Sequence, residues 1–158
     1  MTRAKIEMQI VGTVRSPRSE ATDDFWGGVE CVIALDPRFD PDALLGLDLF
    51  SHLEILFLMH GVDEAEIETS ARHPRERTDW PRVGIFAQRG KSRPNRIGLS
   101  RCVLVGVEGR EIRVRDLDAI EGTPVLDIKP WLAEFGPRGE VRQPLWSQEL
   151  MRDYYSES

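Results

Sequence analysis

Apolar residues along this chain come in short runs, several alternating with polar ones, and Gly, Pro, Asn or Asp closes each run. A two-residue period buries one face of a strand and leaves the other in water. On this basis residues 7–14, 28–35, 53–59, 83–88, 101–107, 111–115 and 123–129 are predicted strands. Ser16-Pro17 ends the first, and Asp36-Pro37 and Asp40-Pro41 mark turns after the second. Residues 42–50 read as one or two helical turns, with Asp40 as N-cap and Pro41 at the first position. Residues 64–77 are polar and read as irregular. Glu108-Gly109-Arg110 between two strand-like runs predicts a hairpin. Residues 131–144 are rich in Gly and Pro and are expected to wrap the surface. Residues 147–155 read as a C-terminal helix capped by Ser147. Six or seven short strands and little helix define a mainly β fold, a closed antiparallel barrel or a sandwich. Alternating long helices and a post-strand G-x-G-x-x-G are both missing, which argues against a Rossmann fold.

The length of 158 residues suits one domain that buries its core without disulfides or metals. No apolar run approaches the roughly 18 residues of a membrane span, and the N-terminal stretch has no long apolar region before a cleavage site. A cytoplasmic protein without membrane contact is therefore expected. Cys31 and Cys102 form no spaced motif and read as reduced strand residues. His52, His60 and His73 lack the spacing of a zinc site, so no metal is expected. Neither G-x-S-x-G nor a Walker loop is present.

Charge alters this picture. The net charge is −6, yet residues 72–101 hold nine of the 21 Lys and Arg and only two of the 27 acids. A basic segment in an acidic protein is either a solvated loop or a surface that faces a polyanion. Within it, a strand leads into a loop bearing Arg89, Lys91, Arg93 and Arg96, with Pro94-Asn95 setting a turn. Guanidinium groups in such a loop can grip phosphate or carboxylate in bidentate fashion. A second unusual segment runs over 116–130. There Asp127 and Lys129 share one strand face, as a plain ion pair or as part of a pocket lining.

These segments resemble the TsaA-like (TrmO) family. Gly12 to Pro17 fits its G-x-x-x-S-P, and Phe50-Ser51-His52 through His60 fits its F-S-H run ending in His. Gly84 to Ser100 fits G-hydrophobic-F-A-x-R…R-P-N-x-I-G-x-S, and Asp118 to Pro130 fits D-x-x-x-G-T-P-hydrophobic-x-D-I-K-P. The match covers about residues 10–131 in the family's order. The resemblance implies a compact antiparallel β-barrel over residues 1–158, with 132–158 an extension wrapping it. It implies S-adenosyl-L-methionine as cofactor and a homodimer with the cofactor site near the subunit interface. It also implies methylation of N6 of N6-threonylcarbamoyladenosine in tRNA.

Carried over position by position, His60, Gly61, Arg89, Leu99, Asp118, Ala119, Ile120 and Glu121 would bind the cofactor, with Phe25, Trp26 and Gly27 from the loop after the first strand. Asp127 or Asp118 would serve as catalytic base. Arg93, Asn95, Arg96 and Lys129 would hold the substrate. The sequence departs from the family in the loop at 23–28 and at Arg96, where proline is usual; many bacterial members also continue into a second domain. A small-molecule methyltransferase and a non-catalytic module that binds S-adenosylmethionine stay open as alternatives.

Overall fold

Val14, Ile33, Leu53, Ile55, Ile112, Val114 and Val125 recur at strand period and are all fully buried, so the strands that carry them must wrap around one core. The computed structural model describes residues 3–158. Its strands are β1 Gly12–Arg15, β2 Glu30–Leu35, β3 His52–Leu58, β4 Ala71–Arg72, β5 Val83–Gly84, β6 Ile97–Glu108, β7 Glu111–Arg115 and β8 Pro124–Pro130. Six of them close an antiparallel barrel in the order β1-β2-β7-β6-β3-β8, while β4 and β5 pair outside it. The fold class read from the sequence is the one observed.

Register decides what faces inward. Ile33 pairs with Ile112, and Ile55 with both Ser100 and Ile128, so these positions share the interior. Gly98 sits opposite Phe57, and a Cβ there would lie 2.4 Å from two ring atoms of Phe57. Gly98→Ala is therefore expected to push the ring aside and destabilise the fold by about 1–3 kcal/mol, the usual range for overpacking. A lower urea midpoint at unchanged m-value would show it.

Because neighbours run antiparallel, the C-terminal ends of β1, β3 and β7 and the starts of β2, β6 and β8 gather at one end of the barrel. Three connections leave from that end, over residues 16–29, 59–96 and 116–123. Leu117 and Ala119 of the third are buried and plug the core there. The opposite end carries residues 36–51 and the tight turn at Gly109 and Arg110.

Four local expectations need comment. Residues 42–50 do form helical turns, Pro41–Leu44 and Leu47–Leu49, and Asp40 accepts from the Asp42 amide at 2.8 Å. The strand expected over 83–88 shrinks to β5 followed by a 3-10 turn, Ile85–Ala87. Gln88 explains this: it turns inward and donates to both the Arg72 and Val83 carbonyls at 3.0 Å, which a continuing strand could not allow. The first strand is shorter than 7–14, since residues 7–10 are exposed and join no ladder. The C-terminal helix is Leu145–Met151 with Pro144, not Ser147, at its N-cap. Ser147 lies inside the first turn and its hydroxyl donates to the Pro144 carbonyl at 2.6 Å. No helix among the described residues is long and apolar enough to cross a membrane.

Candidate functional site

The three connections at one end of the barrel carry nearly every residue singled out in the sequence. A Cβ on Gly122, whose φ is +80°, would lie 3.9 Å from His60 Nε2, and one on Gly61 would lie 3.8 Å from Ile120 Cδ1. The segment after β3 thus abuts the turn at 118–122. Arg89 reaches back to β6 and donates to the Leu99 carbonyl at 2.7 Å. Asp118 accepts from the hydroxyl of Tyr154 at Oδ2, while its Oδ1 is buried without a partner. Ser100 Oγ is buried as well and lies beside the Tyr155 hydroxyl. A native protein rarely leaves a buried polar atom unsatisfied, so Asp118 Oδ1 at this end of the barrel is an acceptor open to a ligand.

Tyr154 and Tyr155, which sequence reasoning missed, stand edge to face with centroids 5.0 Å apart. Burial pushes both hydroxyls above the usual tyrosine range, and the negative charge of Asp118 adds to this. Both therefore stay protonated, as donors, at neutral pH.

The loop after β1 is clamped from three sides. The Arg18 guanidinium lies 3.8 Å over the Trp26 ring and donates to the Phe25 carbonyl at 2.7 Å and the Asp24 carbonyl at 3.1 Å. Arg75 grips the Asp24 carboxylate through bonds of 2.9 and 3.1 Å. The Asp116 carboxylate accepts from the Gly28 amide at 2.7 Å. Phe25, at φ +68°, leaves its side chain exposed.

Several expected contacts change character. Trp26 is 2% exposed and donates its indole N–H to the Thr22 carbonyl, so its side chain belongs to the core. Ala119 is buried in the core as well. Ala119 could meet a ligand only through its backbone, and the Trp26 amide already donates to the Tyr154 carbonyl at 2.8 Å. The Glu121 carboxylate accepts from the Ser16 amide at 2.7 Å and ties two loops together. Asp127 and Lys129 form the ion pair, at 3.0 Å, with the Asp127 Oδ1 accepting from the Ile128 amide. Both face the outer wall, because their neighbour Ile128 faces in. Leu99, Leu56 and Asp127 are in register across β6, β3 and β8. Asp127 and Leu99 thus share that wall, two strand spacings or about 10 Å apart. Lys129 lies opposite Glu54, farther from the open end.

The guanidiniums of the basic loop are only partly available to grip an anion. Arg93 donates to the Gln88 carbonyl at 2.7 Å and the Gly90 carbonyl at 3.4 Å, and Arg96 to the Val62 carbonyl at 2.8 Å. Each holds the loop's shape with part of its fork. Neither is neutralised, however. Among the described residues Arg72, Arg82, Arg89, Lys91, Arg93 and Arg96 have no carboxylate at ion-pair distance, whereas Arg75, Arg77 and Arg101 do. Asn95 is exposed beside them. Arg96 also has φ +51° and donates its amide to the Arg93 carbonyl. Proline, with φ fixed near −65° and no N–H, could not adopt this turn, so the departure from the family pattern has a local geometric consequence. Among the described residues no group of His, Cys, Asp or Glu could hold a metal ion.

A closed barrel with an open buried acceptor and cations without carboxylate partners on the loops of one end is built to bind a ligand there. The chain belongs to the family of the tRNA-methyltransferase O N-terminal domain, whose model matches residues 15–136. A human tRNA (adenine(37)-N6)-methyltransferase is 38% identical over 72% of this chain and 25% of its own length. A probable S-adenosyl-L-methionine-binding protein of Methanothermobacter thermautotrophicus is 35% identical over 88% of this chain and 99% of its own. The crystal structure of TrmO from Pseudomonas aeruginosa superposes with a TM-score of 0.73 at 27% identity, covering 92% of this chain and 63% of that one. The chain thus spans a quarter of the human relative and nearly all of the archaeal one.

Proposed function

We propose that this chain is an S-adenosylmethionine-dependent methyltransferase that acts on tRNA, at N6 of N6-threonylcarbamoyladenosine. The observation that carries the reading is the meeting, at one end of the barrel, of the open acceptor on Asp118 with a connection in which Arg72, Arg82, Arg89, Lys91, Arg93 and Arg96 have no carboxylate at ion-pair distance. The residues fit the cofactor. S-adenosylmethionine bears a positive sulfonium, an ammonium and ribose hydroxyls, all matched to a carboxylate acceptor in a partly buried turn. His60, Gly61, Ile120 and Leu99 would frame it, and Arg89 would receive its carboxylate. When bound, the cofactor supplies an activated methyl group.

The chain's own residues would do the rest. Positioning donor and acceptor in line supplies much of the acceleration. The acceptor nitrogen is a weak nucleophile, so its N–H must be weakened or removed. Asp127, paired with Lys129, is one candidate to take that proton; Asp118 is the other. Arg93, Arg96 and Asn95 would meet the RNA. The same reading makes the protein cytoplasmic and a homodimer, which light scattering tests.

Mass spectrometry of tRNA nucleosides from a strain lacking this chain, with and without its return, tests the function directly. Binding tests the basic loop. Arg93→Ala with Arg96→Ala is expected to weaken tRNA binding and lower the slope of log affinity against log salt by up to about two, one per lost phosphate contact. Because Arg93 also bonds the carbonyls on either side of Arg89, affinity for S-adenosylmethionine should fall less than tRNA affinity, and the salt slope reads the lost phosphate contacts. Full retention of tRNA affinity in a folded double variant would favour a small-molecule acceptor, the reading that the net charge of −6 supports.

A further inference from the structure

The end of the chain forms a strap across the open end of the barrel. Trp80 donates its indole N–H to Glu149 at 2.8 Å, fixing the C-terminal helix to the long basic connection. Beyond the helix, the carbonyls of Asp153 and Tyr154 accept from the Phe25 and Trp26 amides at 3.1 and 2.8 Å. The strap then runs so close over Gly27 that a Cβ there would lie 1.9 Å from the Tyr155 carbonyl oxygen. Its course delivers the Tyr154 hydroxyl to Asp118 Oδ2.

We propose that Tyr154 is a positioning residue for Asp118 and that residues 152–157 form a wall of the cofactor site. This rests on the cofactor reading above. A carboxylate accepts at both oxygens. With Oδ2 held by Tyr154, the plane of the Asp118 carboxylate is fixed and Oδ1 is left as the acceptor for a hydroxyl or ammonium donor of S-adenosylmethionine. A strap that only packed would have no reason to satisfy one oxygen and leave the other buried and empty, since an unmade buried bond is costly. The direction of the bond is also set. Tyr154 is buried beside a negative group, so it keeps its proton and donates.

The test is calorimetric titration of S-adenosylmethionine into the full chain and into Tyr154→Phe, each stripped of carried-over ligand; the variant keeps the ring and removes only the hydroxyl. The variant should raise Kd by at least about tenfold at unchanged stoichiometry, the effect of one bond to a charged group. A merely structural tyrosine would lower stoichiometry and leave Kd alone. Trypsin provides a second readout on the unmodified protein: bound S-adenosylmethionine should slow cleavage after Arg152, and it decides the matter if the variant fails to fold. Normal binding by Tyr154→Phe, or binding by the parent without protection at Arg152, overturns this inference and leaves the cofactor reading standing. No binding by the parent protein overturns both.

Discussion

Asp118→Ala is expected to weaken binding of S-adenosylmethionine by about a hundredfold or more while the barrel stays folded, as loss of charge-assisted bonds in a partly buried site implies. The turn itself should survive, because Leu117 and Ala119 on either side of Asp118 are buried in the core. The substitution deletes the open acceptor at Oδ1 and strands the Tyr154 hydroxyl, which donates to Oδ2. That stranded donor should lower stability by about 1–3 kcal/mol, seen as a drop in Tm. Calorimetry separates the two effects, since stability acts on stoichiometry and the site acts on Kd. Asp127→Asn makes the contrast. Asp127 sits on the outer wall in an ion pair with Lys129, more than a third exposed, so its loss costs little stability. If Asp127 takes the proton, the variant keeps its Kd for the cofactor and loses about a hundredfold or more in kcat. If kcat holds, the base is Asp118. An Asp118→Ala variant with parental cofactor affinity would place the cofactor elsewhere on the barrel.

The barrel was legible because its signal is local. Cys31, Ile33 and Leu35 alternate with exposed or half-buried neighbours, as do Ile112 and Val114, and each pair of runs is divided by a turn of definite chemistry. Where the local signal was the same but a long-range bond opposed it, the reading failed. Val83 to Gln88 has strand composition, yet Gln88 is drawn inward by carbonyls up to 16 positions away. The candidate site was legible only in part. The motifs bring forward His60, Gly61, Arg89, Leu99 and the 118–121 turn one by one, and the topology gathers them at one end of the barrel. Nothing in the sequence marks Tyr154, because its partner Asp118 is 36 residues distant and a tyrosine pair near a chain end has no period. For Trp26, too, only the folded chain shows the ring buried under Arg18. The basic loop shows the third kind of gap. Charge alone does not tell a paired guanidinium from an unpaired one, and here Arg93 and Arg96 bond to carbonyls, which shape the loop without neutralising it.

Gly27→Ala should detach the strap. The backbone at Gly27 is not in the left-handed region, so an alanine there is opposed by space alone. That opposition is severe, because the new Cβ would lie 1.9 Å from the Tyr155 oxygen and 2.7 Å from its carbon, and both are backbone atoms that cannot rotate away. The strap must lift, and lifting breaks the bonds from the Phe25 and Trp26 amides and withdraws Tyr154 from Asp118. Two backbone bonds at about 1 kcal/mol each correspond to a rise in local opening of about tenfold or more. Trypsin should therefore cut after Arg152 at least that much faster than in the parent chain. Gly84→Ala is the matched control. A Cβ there comes no nearer than 4.0 Å to Ser70 O, an ordinary contact, so cleavage at Arg152 should not change. The barrel's own hydrogen bonds are untouched, which confines the expected damage to the open end. In Gly27→Ala, affinity for S-adenosylmethionine should fall at least as far as in Tyr154→Phe, because the whole wall moves and not one hydroxyl. Faster cleavage with unchanged cofactor affinity would show that the strap covers the end of the barrel without taking part in the site.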